Sequence, residues 1–413
     1  MRTVIWLVLL FAVAVVAALT LGDNDGLASF YWGAWRVDMS LNFFVLAALG
    51  LGFVIMSAVQ GIGGLLRLPT AAREWRALRR ERSAQNALRE AQAEHFAGRY
   101  TRAHKAALSA LTIRQGGDGV PPDAEFEMLA YMLAAASLHK LQDRAGRDEL
   151  QRRLLKLVRR NGARAIDDGA RLLATEWALD DRDAARAEAL LAELPPGVAR
   201  RTLALRLKLQ AARLARRPRE ALQTAHLLAH HKAFAPAAAQ ALLRSLAFEV
   251  LDAAHDPDQL RRAWQQFETT DQGDPYVACR AARRARALGV PEDGRRWLRP
   301  AWDRLADLPP EARSDAALAL VDCIQGIGPE WLPRLEAAQR TFSAEPAIQA
   351  AVGSAFADRG LWGKARAPLE TASRADSLPA EARRMVWRRL AQLARDEGDE
   401  LRAIDCERQA AAS

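Results

Sequence analysis

The sequence predicts an all-α protein in which two transmembrane helices precede a TPR-like stack of helical hairpins. Three observations favour this class: two long apolar runs near the N-terminus, a composition after them that is rich in Ala, Leu, Arg and Glu, and a repeat period of about 34 residues. We expect a transmembrane hairpin over residues 1–66, a basic juxtamembrane helix over 67–88 and a helical repeat domain over 89–413.

The two apolar runs are long enough to cross a membrane. They cover residues 3–22 and 41–66, and neither contains an ionisable side chain. A bilayer core about 30 Å thick needs roughly 20 apolar residues in a helix. A cleavable signal peptide is the alternative for the first run, because Arg2 precedes it and small residues such as Ala17 and Ala18 follow its centre. The second run follows so soon that two spans joined by a short loop are the better interpretation.

The short loop and the segment after the second run predict the orientation. The loop has the aromatic residues that are typical of a membrane interface and a single basic residue, Arg36. Arginines follow the second run closely, at Arg67, Arg73, Arg76, Arg79, Arg80 and Arg82. Because Lys and Arg are retained in the cytoplasm, we expect a multi-pass membrane protein with both termini and the repeat domain in the cytoplasm. The basic segment could also lie on anionic headgroups, although a stop-transfer flank explains it equally well.

The charge and the cysteines exclude two common classes. The net charge is +9, but only six of the 59 basic residues are lysine, and the arginines are scattered among acids. This pattern predicts a salt-bridged helix surface and no nucleic-acid partner. Cys279, Cys323 and Cys406 are too far apart for a metal or haem motif, so we expect buried apolar residues in a reducing compartment.

The repeat is clearest in the last two hairpins. There, small and aromatic residues stand where two helices of a tetratricopeptide (TPR) hairpin cross: Gly353, Phe356, Gly360, Trp362, Ala365 and Ala372, then Trp387, Leu390, Ala391, Gly398, Ala403 and Ala410. A third unit, within the helical run from Arg89 to Leu111, has Ala91, Gly98, Tyr100, Ala103 and Ala110. A Gly- and Pro-rich loop at 116–122 ends it, and weaker hairpins fill the middle.

No catalytic, metal-binding or cofactor-binding residue can be assigned, so we expect a protein that is not an enzyme and has no cofactor. His226 and His230 share a helix face with His231 beside them, but no third metal ligand is identifiable. The acidic clusters at 167–168 and 180–183 could hold a cation, but helix starts are the better explanation.

Binding is therefore the expected function, because stacked hairpins offer an extended surface to a partner. The strongest positive cluster could pair with the carboxylates of an acidic protein or of a bound ligand. It consists of Arg280, Arg283, Arg284, Arg286, Arg295 and Arg296. The alternative is a set of solvated helical arginines.

The loop between the apolar runs resembles that of the proteobacterial HemY family. The family's motif is of the type Asp-x-Gly…Trp-Gly…Met-Ser-Leu, and this chain has Trp32-Gly33 and Met39-Ser40-Leu41. The first element departs slightly, since Asp25-Gly26 follows Asp23-Asn24. The architecture after the loop is similar as far as the Trp387 repeat. The resemblance implies an inner-membrane TPR protein that organises the terminal enzymes of protohaem synthesis. It supplies no catalytic residues.

The flavin-dependent protoporphyrinogen oxidase that shares this family's name is not implied. Such an enzyme needs Gly-x-Gly-x-x-Gly between a strand and a helix, whereas the glycines of the second run lie in a predicted span. Three hypotheses remain: a scaffold whose partners are late haem-synthesis enzymes, a membrane-tethered adaptor of an envelope or proteostasis pathway, and a carrier that binds haem or porphyrin. Self-association into a homo-oligomer is compatible with each.

Overall fold

Helices account for most of the part of the chain that the computed structural model describes, which comprises residues 11–13, 16, 25–116, 123–161 and 164–413. The predicted all-α class holds for the repeat domain. The predicted first span, 3–22, lies almost entirely outside the described residues. The chain divides into two compact units, residues 1–162 and 163–413.

The loop before the second apolar run forms a two-stranded antiparallel hairpin and differs from the plain loop that we predicted. Strand β1 covers Leu27–Trp32 and β2 covers Trp35–Ser40, with Trp32 paired with Trp35 at the turn. Gly33 has a φ of +61°, which suits the first central residue of a tight hairpin turn. The indole of Trp32 is 88% exposed, as an interfacial aromatic residue would be.

Helix α1, Leu41–Phe96, is a single helix of 56 residues that begins at the second apolar run. Ser40 caps it by accepting a hydrogen bond of 3.3 Å from the amide of Phe43. The segment Leu41–Val59 is apolar and long enough to cross a membrane, and none of it is buried within the protein. It is the single candidate span found among the described residues, so the structure does not show the two-span hairpin.

The rest of the first unit consists of three helices that pack against α1 and against one another. They are α2, Tyr100–Gln115; α3, Ala124–Lys140; and α4, Arg144–Asn161. Helix α1 is continuous through residues 66 and 88, where we predicted domain boundaries. The predicted helical run from Arg89 to Leu111 is interrupted at Gly98. Helices α1 and α2 approach closely because their contact is built from fully buried alanines: Ala84, Ala91, Ala103, Ala107 and Ala110.

The second unit contains sixteen α-helices in its described part. They are α5, Arg164–Asp180; α6, Ala184–Ala192; α7, Pro196–Ala199; α8, Thr202–Leu214; α9, Pro218–His230; α10, Pro236–Asp252; α11, Pro257–Gln265; α12, Thr269–Gln272; α13, Pro275–Ala287; α14, Pro291–Trp302; α15, Pro310–Asp322; α16, Leu332–Thr341; α17, Pro346–Asp358; α18, Trp362–Ser373; α19, Ala380–Asp396; and α20, Glu400–Ala412. Many begin with proline, whose missing amide costs nothing at a first helical position.

The later hairpins stack at the predicted period. Helices α13, α15, α17 and α19 begin 34 to 36 residues apart, and each packs on the next as well as on the second helix of its own hairpin or a neighbouring one. Gly353 lies where α17 meets α18, and a Cβ there would be 2.7 Å from Leu369 Cγ. Phe356, beside it, is fully buried. Ala365 and Ala372 are buried as the pattern predicted, whereas Trp362 is 38% exposed.

A common turn ends the first helix of most hairpins. The residue after the cap has a positive φ, its amide bonds to the carbonyl three residues before, and the next amide bonds to the carbonyl five residues before. Where the consensus is strong, glycine occupies this position; in the middle of the chain a larger residue does. The eight positions in the described residues are Gly98, Gln142, Arg182, Arg216, Lys232, Gly289, Gly360 and Gly398.

Candidate functional site

The predicted arginine cluster lies on two adjacent helices, with four of its members on α13 and two on α14. Arg280 makes a two-pronged contact with Asp252 of α10, at 2.8 Å and 2.5 Å. Arg284 donates to the carbonyl of Ala254, just beyond the end of α10, at 3.1 Å and 2.5 Å. These guanidinium groups therefore join α13 to the preceding hairpin.

The other two arginines of α13 contact the hairpin that follows. Arg283 Nη2 donates to Asp315 Oδ1 at 2.5 Å and lies near Asp322. Arg286 Nη1 donates to the backbone carbonyl of Asp322 at 2.6 Å. Burial raises the pKa of Asp322, and the nearby guanidinium of Arg283 opposes that shift. Arginine and aspartate side chains therefore alternate across the surface where α13 meets this hairpin.

Arg295 is a buried structural residue, with only 9% of its surface exposed. Its Nη1 donates to the carbonyls of Cys323 and Gln325 at 2.6 Å and 2.7 Å, and its Nη2 donates to the carbonyl of Gly326 at 3.1 Å. These carbonyls belong to the segment that follows α15, where a helix end leaves acceptors without partners.

Arg296 is the most exposed of the six, with a side chain 72% exposed, and its carboxylate neighbour is Asp293 at 3.2 Å. Asp293 also accepts from Arg261 at 2.6 Å. The structure therefore brings the six arginines to one region but uses most of them within the protein. Their role in partner binding stays a prediction, and Arg296 is the member with the most surface to offer.

Sequence reasoning missed Asp252 and Asp315, the acids that pair with Arg280 and Arg283, because each lies about one repeat away along the chain. The same one-repeat separation recurs through the second unit. Further pairs of this kind are Arg244 with Asp274, Arg313 with Glu345, Arg334 with Asp303, Lys364 with Glu336, Arg366 with Glu397 and Arg402 with Glu370. A basic residue with an acidic residue about 30 positions away, in either direction, is the sequence signal that could have predicted these pairs.

His226 lies between two carboxylates and not in a metal site. Its Nε2 is 2.8 Å from Asp271 Oδ2, and its Nδ1 is 3.3 Å from Glu268 Oε2. The hydrogen bond to Asp271 raises the pKa of His226. His230 instead faces the ring of His231. Among the described residues, no three metal-ligating side chains come together.

The three cysteines are free and buried, as we predicted. Cys323 Sγ lies 3.1 Å from the carbonyl of Ala282, at a close approach of α13 and α14. Burial raises the pKa of the Cys323 thiol to about 12 and also raises the pKa of Cys279. These thiols are therefore protonated and enclosed, which suits a packing role.

Comparison with protein families identifies the N-terminal part. Residues 26–142 match the family model described as HemY protein N-terminus. The chain carries a HemY N-terminal domain. The HemY domain begins just before β1 and ends in the turn after α3, so it includes the candidate span and the helices that pack on it. The match supports the predicted HemY family for this part of the chain. No curated protein matches the chain significantly.

Proposed function

We propose that this protein is a membrane-anchored TPR scaffold that organises the terminal enzymes of protohaem synthesis at the bacterial inner membrane. The observation that carries the proposal is the HemY domain, because the match covers the candidate span and the first hairpin as one piece. The same helix, α1, supplies both parts. In this proposal, α1 both attaches the protein to the membrane and forms the first helix of the repeat array.

The helical hairpins support a binding role. Stacked hairpins present side chains from successive repeats on a continuous surface, which suits the capture of a protein segment. The buried, protonated thiols and the ion-paired His226 make poor nucleophiles or bases. In this proposed arrangement the partner enzymes carry out the chemistry, and this chain positions them.

The first test is the porphyrin profile of cells that lack the protein, compared with the same cells complemented by the full-length chain. We expect late porphyrin intermediates to accumulate and haem to fall, with both restored by complementation. An unchanged profile would contradict the haem assignment and leave a membrane-tethered adaptor of another pathway. A Soret shift when the full-length chain is titrated with protoporphyrin would instead support a carrier.

A second test concerns the partner surface. Replacing Arg296 with Glu reverses the charge of an exposed residue, and Asp293 keeps its contact with Arg261. We expect Arg296→Glu to reduce the recovery of cross-linked partners with full-length chain, whereas Arg262→Glu, on the exposed face of α11, should not. Equal recovery with both variants would remove Arg296 from the partner surface.

A further inference from the structure

The segment of α1 that follows the candidate span carries a row of arginines unlike those of the repeats. Arg76, Arg79 and Arg80, with Ser83, are spaced so that they share one face of the helix. All three guanidinium groups are exposed, and no carboxylate of the described residues lies within ion-pair distance of them. In the second unit, by contrast, most inter-hairpin arginines are paired with acids.

This arrangement gives the helix itself no benefit. Arg76 and Arg80 are one turn apart, and like charges at that spacing repel. Within the described part of the chain, the guanidinium of Arg79 contacts an aromatic ring, since it lies 5.2 Å from the centre of the Trp75 indole. Repulsion within a helix is relieved when an external anion binds between the charges.

The surface also has room for such an anion. A shallow cavity of about 440 Å³ is lined by Trp75, Arg76, Arg79, Arg80, Ser83 and, from α2, Ile113. It combines cations, a hydroxyl group and two apolar side chains. A phosphate ester with a glycerol backbone has the matching chemistry, because its oxygens pair with guanidinium groups.

The position along α1 favours a lipid as the source of that phosphate. Arg76 lies ten residues beyond Leu66, the end of the uncharged run, which is about 15 Å along the helix. A headgroup layer roughly 6 Å deep covers part of that length. The remainder is close to the Debye length of about 8 Å over which a charged leaflet attracts basic residues.

The topology of the first unit brings a second basic segment to this end. Because α2, α3 and α4 alternate in direction, α4 ends on the same side of this unit as α2. The last ten residues of α4 contain five basic residues and no acid. The acidic start of α3 also lies here, but Asp123 is paired with Arg114 at 3.5 Å.

We propose that Arg76, Arg79 and Arg80, together with Trp75, form a binding surface for the headgroups of anionic phospholipids such as phosphatidylglycerol. This inference rests on α1 being the membrane anchor, but it is independent of the haem pathway. The surface holds the first hairpin against the leaflet from which α1 emerges.

Lipid retention by the full-length chain tests this surface. The chain is purified in mild detergent, mixed with equal amounts of phosphatidylglycerol and phosphatidylcholine, and its lipid adducts are counted by native mass spectrometry. We expect a preference for phosphatidylglycerol of about fivefold or more. The variant Arg76→Gln/Arg79→Gln/Arg80→Gln should bring the ratio close to one.

A matched control is the variant Arg384→Gln/Arg388→Gln/Arg389→Gln, which removes three charges from α19 in the second unit. It should leave the preference unchanged, and circular dichroism should show that both variants keep their helices. An unaltered ratio in the α1 variant would overturn the inference, as would an equal loss in the control. If the α1 variant kept the ratio but lost copurifying proteins, an acidic protein would replace the lipid as the ligand.

Two further measurements separate the causes of a negative result. Competition by millimolar glycerol phosphate, the free headgroup, would show a site for soluble anions and overturn the membrane assignment. Extraction of native membranes with alkaline carbonate tests the anchor itself. Release of the wild-type chain would contradict the anchor, whereas a retained chain without lipid preference would contradict the headgroup surface and leave the proposed function standing.

Discussion

At the scale of single residues, the chain uses its charged side chains to join neighbouring hairpins. Arg295 shows this most clearly, since three backbone carbonyls of the next hairpin accept hydrogen bonds from it. A planar guanidinium with several donors suits this task better than a lysine ammonium. The preference for arginine in the sequence therefore has a structural explanation.

Removing the Arg295 guanidinium should be strongly destabilising. We expect Arg295→Ala to lower the free energy of unfolding by roughly 3 kcal/mol, because buried carbonyls lose a charged donor. The neighbouring substitution Arg296→Ala should change it by less than about 0.5 kcal/mol, as is usual at an exposed site. Thermal melts of the two variants followed by circular dichroism would measure the difference, and similar melting temperatures would refute the structural role.

His226 makes the stability of the second unit dependent on pH. Because the hydrogen bond to Asp271 raises the pKa of His226 in the folded chain, the contact stabilises the fold fully at a pH below the ordinary histidine value of about 6.5. That contribution is lost as the pH rises through the folded pKa.

We therefore expect the destabilisation caused by His226→Gln to be about 1 kcal/mol or more at pH 6 and smaller at pH 8. The control His231→Gln, at an exposed site, should show no such dependence. Denaturant melts at both pH values provide the measurement. A penalty for His226→Gln that grows with pH would show that the histidine is neutral in the folded chain.

At the scale of elements, the hairpin turn explains why the repeat weakens in the middle of the sequence. The turn survives there, but its left-handed position is held by residues such as Arg216 and Lys232 in place of glycine. A residue with a Cβ is strained in that conformation by roughly 1 kcal/mol. The fold tolerates this strain because the packing on both sides fixes the turn.

Relief of that strain is measurable. We expect Arg216→Gly to raise the stability by about 1 kcal/mol and Gly360→Ala to lower it by a similar amount, since both positions have the same left-handed φ. Arg213→Gly, within helix α8, should be destabilising, because glycine is a poor helix former. Melting temperatures of the three variants give the comparison, and a loss of stability in Arg216→Gly would contradict the common turn.

The elements also show what the sequence could and could not predict. Local patterns placed Gly353, Phe356 and Gly360 correctly, because helix crossings and turns select residue types at fixed spacing. The partners of Arg280 and His226 could not be predicted, since Asp252 and Asp271 meet them only after hairpins stack. The hairpin at Leu27–Ser40 was missed because each strand is only six residues long and mostly exposed, and Gly33 was the one turn signal.

At the scale of the whole molecule, charge is distributed in two ways. In the second unit, basic and acidic residues neutralise one another between hairpins. Next to the candidate span, α1 keeps its arginines free of such partners among the described residues. This asymmetry supports a chain whose N-terminal part is adapted to the membrane surface. In the rest of the chain, the charges serve the stacking of one hairpin on the next.

Topology is the prediction that belongs to this scale. We expect an alkaline phosphatase fusion after Arg82 to be inactive, because the arginines that follow the span are retained in the cytoplasm. A fusion within the turn at Gly33 should be active if residues 3–22 form a first span. Strong activity after Arg82 would overturn the cytoplasmic location of the repeats.

The continuity of α1 has a mechanical consequence. About 37 residues separate Val59 from Phe96, so the helix extends some 55 Å beyond the candidate span without a break. Such a rod acts as a lever whose short arm is in the lipid. If the span changes its tilt by about 10°, as a change in bilayer thickness can require, the tip near Phe96 sweeps through about 10 Å. This movement is mainly parallel to the membrane, so the thickness of the bilayer would set the lateral position of the tip of the first hairpin.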